Sequence, residues 1–110
     1  MKNSFDEKIL EEAKDWFEEK RNVILATVIQ TWGSSPRPTG SRMIINDKGD
    51  FSGSVSGGCV ESAVVRESIN LLKNDKSFKI IEFKVSDENA WDVGLAWGGE
   101  ISIFLEQIIK

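Results

Sequence analysis

Residues 23 to 29 read Val-Ile-Leu-Ala-Thr-Val-Ile, a nearly continuous apolar run with several β-branched side chains. A strand with one face in water shows alternating apolar and polar residues, whereas an unbroken apolar run indicates a strand that is buried on both faces. Such a strand needs an apolar layer on each side of its sheet. The stretch therefore predicts a layered fold with residues 23–29 as a central strand.

Two segments predict amphipathic helices that could supply these layers. In residues 4–20 the apolar side chains recur at helical spacing and form one stripe: Phe5, Ile9, Leu10, Ala13, Trp16 and Phe17. Residues 60–73 carry a second stripe: Val60, Ala63, Val64, Leu71 and Leu72. We expect both helices to pack on the sheet.

The remaining strands are predicted from short runs between turn signals. They are residues 42–46, 50–54, 78–85 and 100–106. Asp47-Lys48-Gly49 predicts a hairpin turn, and the apolar register shift between Ile80 and Ile81 predicts a bulge. Residues 31–40 are expected to lie outside any strand. The order of elements predicts a single α+β domain over residues 1–110, with a mixed or antiparallel β-sheet covered by about two helices.

Composition excludes several classes of function. With 110 residues, of which 40% are hydrophobic, the chain can form a packed core. Its net charge of -4 disfavours nucleic acid as a partner, and no apolar run approaches the roughly 20 residues of a membrane span. The chain has no histidine, so it cannot hold a Ser-His-Asp triad, a Cys-His pair or an HExxH zinc site. Its one cysteine cannot form an internal disulfide, and we expect a cytoplasmic protein.

Cys59 follows the pair Gly57-Gly58 at the start of the second predicted helix. Backbone N–H groups at a helix start favour anions, so a thiol there can act as a nucleophile or as a soft metal ligand. The stretch lacks the lysine of a P-loop and the spacing of a dinucleotide motif. A free cysteine is also commonly a small buried apolar residue. Local physics leaves both interpretations of Cys59 open.

Residues 31–42 form a second candidate loop. Two prolines stiffen it, Ser34 and Ser35 supply hydroxyl groups, and Arg37 and Arg42 lie towards its end. A guanidinium group offers a planar fork of donors that matches phosphate or carboxylate. The alternative interpretation is a rigid surface loop with two solvated cations.

Three motifs, in this order along the chain, resemble the N-terminal domain of the XdhC/CoxI family. Members of this family are accessory proteins for the maturation of xanthine dehydrogenase and related molybdenum hydroxylases. The motifs are Thr-Trp-Gly-Ser-Ser-Pro-Arg-Pro-Thr-Gly at 31–40, Gly-Ser-Val-Ser-Gly-Gly-Cys-Val-Glu at 53–61, and Val-Ser-Asp-Glu-Asn-Ala-Trp-Asp-Val-Gly-Leu at 85–95 with Gly-Gly at 98–99. The resemblance extends from about residue 23 to residue 106.

The resemblance implies a chaperone rather than a catalyst. Family members are thought to bind the molybdenum cofactor, or molybdopterin, to protect it while a cysteine desulfurase installs its terminal sulfur, and to pass it to the apo-enzyme of a molybdenum hydroxylase. Longer members also carry a C-terminal Rossmann-like domain. We expect this chain to be the N-terminal domain alone, working with a separate Rossmann-domain partner or as a homodimer.

Cys59 matches the family cysteine, so the resemblance makes it the candidate contact to molybdenum or to its sulfido ligand. The expected cofactor-binding residues are Ser34, Ser35, Arg37, Arg42, Ser56, Gly57, Gly58, Cys59, Glu61 and Trp97. The phosphate of the pterin would suit the glycine-rich helix start together with Arg37 or Arg42.

Trp97 stands where the family usually has a second cysteine, in a Gly-Leu-x-Cys-Gly-Gly pattern. Its indole could stack on the pterin, or it could fill the pocket as a packing residue. Two further hypotheses therefore stay open. The chain could be a thiol or persulfide carrier, or an enzyme, that uses Cys59. It could also be an interaction module that has lost the cofactor site.

Overall fold

An antiparallel sheet of five strands forms the centre of the described part of the molecule. The structure is a computed structural model, and it describes residues 4–32, 38–56, 60–84 and 100–109. In chain order the elements are α1 (Ser4–Glu18), β1 (Val23–Trp32), β2 (Arg42–Asn46), β3 (Phe51–Gly53), α2 (Glu61–Lys73), β4 (Phe78–Lys84) and β5 (Glu100–Ile109). The strand order is β3-β2-β1-β5-β4, and each neighbouring pair is antiparallel. The predicted α+β fold is confirmed.

β1 is the central strand that its apolar run predicts. It pairs with β2 on one side and with β5 on the other. Ile24, Ala26 and Val28 are buried in the cluster that includes α2, whereas Val23 is buried in the cluster that includes α1. The prediction of burial on both faces is wrong for Ile29, which is 43% exposed, so burial on the second face does not extend over the whole apolar run.

β1 is longer than the sequence pattern predicts. The expectation that residues 31–40 lie outside any strand is wrong for Thr31 and Trp32, which pair with Ile101 and Glu100 of β5. β5 itself extends to Ile109. Threonine and tryptophan both favour strands, and β5 is long enough to pair with them through backbone hydrogen bonds.

The two helices cover opposite faces of the sheet to different extents. α2 packs on one face through Val64 and Leu71, which belong to the larger buried cluster together with the N-cap residue Val60. On the other face, α1 buries Ile9 and Trp16 and contacts chiefly β2 and β3. Part of the α1 side of β1, β5 and β4 is therefore left without a helix from the described residues.

The predicted bulge between Ile80 and Ile81 is wrong. β4 pairs with β5 in an unbroken register from Phe78 opposite Glu106 to Lys84 opposite Glu100. The run of apolar residues has another origin: Ile81 is buried in the α2-side cluster, whereas Ile80 is exposed on the other face. An apolar residue on each face gives the same sequence pattern as a bulge.

Candidate functional site

The segment between β3 and α2 folds back on the first residue of α2. Glu61 is only 6% exposed, and its carboxylate accepts a hydrogen bond from the Ser54 hydroxyl at 2.7 Å. It also accepts the backbone N–H groups of Val55 and Ser56, each at 3.0 Å, and the hydroxyl of Ser56. Among the described residues, Oε2 therefore accepts three donors and Oε1 accepts one.

The Ser56 hydroxyl joins the two ends of the segment. It accepts the N–H of Val60 at 2.8 Å and donates to Glu61. Ser56 is fully buried, and Val55 and Val60 belong to the cluster on the α2 side of the sheet. We call Ser54, Val55, Ser56, Val60 and Glu61 the Glu61 cluster. It fixes the residues on both sides of positions 57–59 relative to each other.

Glu61 is ionised at neutral pH because its hydrogen bonds outweigh its burial. Burial alone raises the pKa of this carboxyl group. The hydroxyl groups of Ser56 and Ser54 and the backbone N–H groups of Ser56 and Val55 act in the opposite direction, and together they lower the pKa from 4.5 to about 2. A carboxylate with so low a pKa is a weak proton acceptor, so this group is unsuited to general base catalysis.

Another polar side chain is buried at the β2 end of the preceding loop. The Gly40 N–H donates to the Val28 carbonyl at 2.7 Å, and the Val28 N–H donates to the Ser41 carbonyl at 2.9 Å. Gly40 and Ser41 thus both lie opposite Val28. Gly40 has a φ of +93°, as in a β-bulge with glycine at its first position. Ser41 is 7% exposed, and its hydroxyl has no hydrogen-bond partner in the described part of the chain. Buried hydroxyl groups without a partner are uncommon in folded proteins, so this group is a candidate for a bond to a bound water, ion or ligand.

Arg42 lies on the other face of the sheet from the Glu61 cluster. Along β2, Met43 belongs to the α2-side cluster, whereas Ile44 belongs to the α1-side cluster. The Arg42 side chain shares the face of Ile44 and lines a groove there with Leu10 and Leu25. The structure therefore brings Ser56 and Glu61 together but does not bring Arg42 to them.

The remaining predicted site residues lie outside the described residues. They are Ser34, Ser35, Arg37, Gly57, Gly58, Cys59 and Trp97. Sequence reasoning missed Ser54 and Ser41. Ser54 lies within the motif at 53–61, so its position in the sequence could have marked it as a candidate. The burial of Ser41 depends on a bulge that the sequence pattern did not predict. In the described ranges, no three His, Cys, Asp or Glu side chains are grouped for metal binding. Neither helix there has the length and apolarity of a membrane span.

A comparison with protein families shows which family this chain belongs to. The model of the XdhC and CoxI family matches residues 16–84. The chain belongs to the XdhC and CoxI family. This match includes the Glu61 cluster and Ser41, so both lie within the family domain.

Longer relatives contain a region similar to this XdhC/CoxI chain. It is 29% identical over 89 residues to the molybdenum cofactor insertion chaperone PaoD of Escherichia coli K12, covering 80% of this chain and 27% of that protein. It is 32% identical over 95 residues to a probable xanthine dehydrogenase subunit of Bacillus subtilis 168, covering 84% of this chain and 28% of that protein.

A solved structure shows the same fold. The crystal structure of a xanthine dehydrogenase from Bacillus halodurans matches with a TM-score of 0.74 and 26% identity, covering 90% of this chain and 30% of that chain. The XdhC/CoxI chain thus spans 27 to 30% of the length of these three relatives.

Proposed function

We propose that this chain binds the molybdenum cofactor as cargo and assists its sulfuration and its insertion into a molybdenum hydroxylase of the xanthine dehydrogenase type. The observation that carries the proposal is the Glu61 cluster, since it fixes both ends of the three-residue segment that contains the only cysteine. The name of the Escherichia coli relative, a molybdenum cofactor insertion chaperone, supports this cargo.

The donor groups of the chain fit such a cargo. A cysteine thiolate is a soft ligand that suits molybdenum and its sulfido group, so Cys59 is the proposed metal contact. The buried Ser41 hydroxyl, which has no partner among the described residues, suits the polar edge of a pterin. A bound molybdenum cofactor would supply the metal, held by the dithiolene group of the pterin. The protein would bind, orient and shield the cofactor.

The phosphate of the cofactor is assigned to Arg37 and to the glycine-rich start of α2. Backbone N–H groups at a helix start and a guanidinium fork both favour phosphate. Arg42 is excluded from this assignment, because its side chain lies on the α1 face of the sheet. The proposed set is completed by Ser34, Ser35, Ser56, Gly57, Gly58 and Trp97.

The proposed partners are the apo-enzyme of the hydroxylase and the cysteine desulfurase, which meet the chain in the cytoplasm. A separate Rossmann-domain protein or a second copy of this chain is a further proposed partner. These protein contacts are supported by the α1-side face of β4, where Phe78 is 61% exposed and Ile80 is 52% exposed. Exposed apolar side chains on one face are typical of a protein-binding surface.

Cofactor retention tests the proposal directly. Purified protein is mixed with cofactor released from a molybdenum hydroxylase, and pterin absorbance and molybdenum are followed through gel filtration. We expect both to co-elute with the wild type and with the control Ser62→Ala, which changes an exposed residue of α2, but not with Cys59→Ala. No retention by the wild type would exclude the proposed function. Equal retention by Cys59→Ala would remove the thiol from it.

The exposed face of β4 also favours a second candidate, an interaction module without a cofactor site. That function predicts a stable complex with a molybdenum hydroxylase and no retention of the cofactor. Co-purification of the two proteins, followed by the retention assay on the same sample, separates the two functions.

A further inference from the structure

We propose that Glu61 is a positioning residue: its carboxylate sets where the segment that carries Cys59 begins and ends, and it does not contact the cofactor itself. The inference rests on the proposed function, because the thiol on that segment is the proposed metal contact. It replaces the expectation that Glu61 is one of the cofactor ligands.

The contacts of Glu61 connect the two ends of a short stretch of chain. On the strand side, the carboxylate accepts donors from Ser54, Val55 and Ser56. On the helix side, Glu61 is the first residue of α2, and the preceding residue, Val60, donates its N–H to the Ser56 hydroxyl. Any path of the three residues between positions 56 and 60 must start and finish at these fixed points.

The same contacts make Glu61 a poor direct ligand. Both backbone N–H groups donate to its Oε2 atom, and each of its two oxygens also accepts a hydroxyl group. Oε2 already accepts three donors, so a ligand at that atom would have to displace one of these bonds and leave a buried N–H or O–H unpaired. An ionised carboxylate only accepts hydrogen bonds, so it offers nothing to the phosphate or to oxo groups of the cofactor.

Cys59 is the natural reporter because it is the only cysteine. Its alkylation by iodoacetamide is timed at one pH and at a temperature well below unfolding, for the wild type, Glu61→Gln and Glu67→Gln. The last variant is the control, since Glu67 lies on the same helix and pairs with Lys79 at the surface. Each rate constant is compared with that of the urea-unfolded chain.

We expect the alkylation rate of the folded wild type to differ from that of the unfolded chain. The rate of Glu61→Gln should be shifted about tenfold from the wild-type value towards the unfolded value, because hydrogen bonds to a charged group are lost. Glu67→Gln should keep the wild-type rate. A role in stability alone would lower the unfolding temperature of Glu61→Gln and leave the rate in the folded state unchanged. That result would overturn the proposal, as would a wild-type rate equal to that of the unfolded chain.

A milder variant covers the case in which Glu61→Gln does not fold. Ser54→Ala removes one of the described donors and keeps the carboxylate, and we expect it to shift the rate in the same direction by a smaller factor. An unchanged rate in folded Ser54→Ala, with Glu61→Gln unfolded, would overturn the proposal.

Cofactor retention by the same variants distinguishes this inference from the proposed function. If the alkylation rates shift as expected but the wild type retains no cofactor, Glu61 positions the segment and the proposed function is wrong. If the wild type retains the cofactor, and folded Glu61→Gln retains it equally with an unchanged alkylation rate, the proposed function stands and the positioning role is wrong.

Discussion

The hydroxyl of Ser56 accepts the N–H of Val60 at 2.8 Å. Val60 is the N-cap residue of α2 and has no side-chain cap of its own. A helix start leaves backbone N–H groups without partners inside the helix, and here a serine that follows β3 accepts one of the neighbouring N–H groups. The end of β3 and the start of α2 are therefore one hydrogen-bonded unit, with Glu61 at its centre.

The first prediction concerns the pH dependence of stability. Because the folded protein lowers the pKa of Glu61 from 4.5 to about 2, the carboxylate stabilises the folded state fully above pH 4.5. This contribution, about 3 kcal/mol for a shift of this size, is lost as the pH falls from 4.5 through about 2. Urea unfolding of the wild type and of Glu61→Gln should give a stability difference that shrinks over this range. A difference that stays constant from pH 6 to pH 2 would contradict it, and Glu67→Gln is the control.

The second prediction concerns Gly53, the last residue of β3. It has a φ of +95°, and an added Cβ would lie 2.5 Å from the Arg42 carbonyl oxygen and 2.8 Å from the Met43 Cα. Both are backbone atoms that cannot rotate away, so Gly53→Ala should lower the free energy of unfolding by about 3 kcal/mol. Gly40→Ala is the matched control, because Gly40 also has a positive φ but has open space around the Cβ position. We expect it to cost roughly 1–2 kcal/mol, and equal losses in urea unfolding would show that contact distance is not the cause.

The third prediction concerns the buried hydroxyl of Ser41. Since it has no partner in the described part of the chain, Ser41→Ala should leave the free energy of unfolding unchanged or raise it by up to about 1 kcal/mol. Retention of the molybdenum cofactor should fall, because the proposed ligand contact is lost.

Ser68→Ala is the control for this prediction. Ser68 is also buried without a partner among the described residues, but it lies on α2, within the second helix rather than at its start. This variant should match Ser41→Ala in stability and the wild type in cofactor retention. A clear loss of stability in Ser41→Ala would show that its hydroxyl has a structural partner.

The fourth prediction concerns association through the exposed face of β4. Ile80→Lys places a charge at a position that is 52% exposed, so the free energy of unfolding of the monomer should change by less than about 0.5 kcal/mol. If copies of this chain associate through that face, the variant should shift the molar mass measured by light scattering towards the monomer. Leu10→Lys, at an exposed position on α1, is the control and should leave the molar mass unchanged. The reverse pattern would assign the contact to α1.

The residue pattern by itself determined the elements of the fold and the centre of the sheet. Helical stripes of apolar residues located α1 and α2, and the run at 23–29 located the central strand, because hydrophobic periodicity is a local property of the sequence. The motif at 53–61 also contained Ser54, Ser56 and Glu61, which the structure joins.

Only the tertiary structure decided which polar groups meet. Arg42 and Glu61 were predicted in one site, but the alternation of side chains along β2 places Arg42 on the α1 face. Glu61 was predicted as a ligand, and the structure adds that its carboxylate accepts hydrogen bonds from residues five to seven positions earlier in the chain. A sequence pattern does not give the turn that brings these donors to the carboxylate. Hydrogen bonds across such a turn depend on the position of β3 relative to α2, and packing of both against the sheet sets that position.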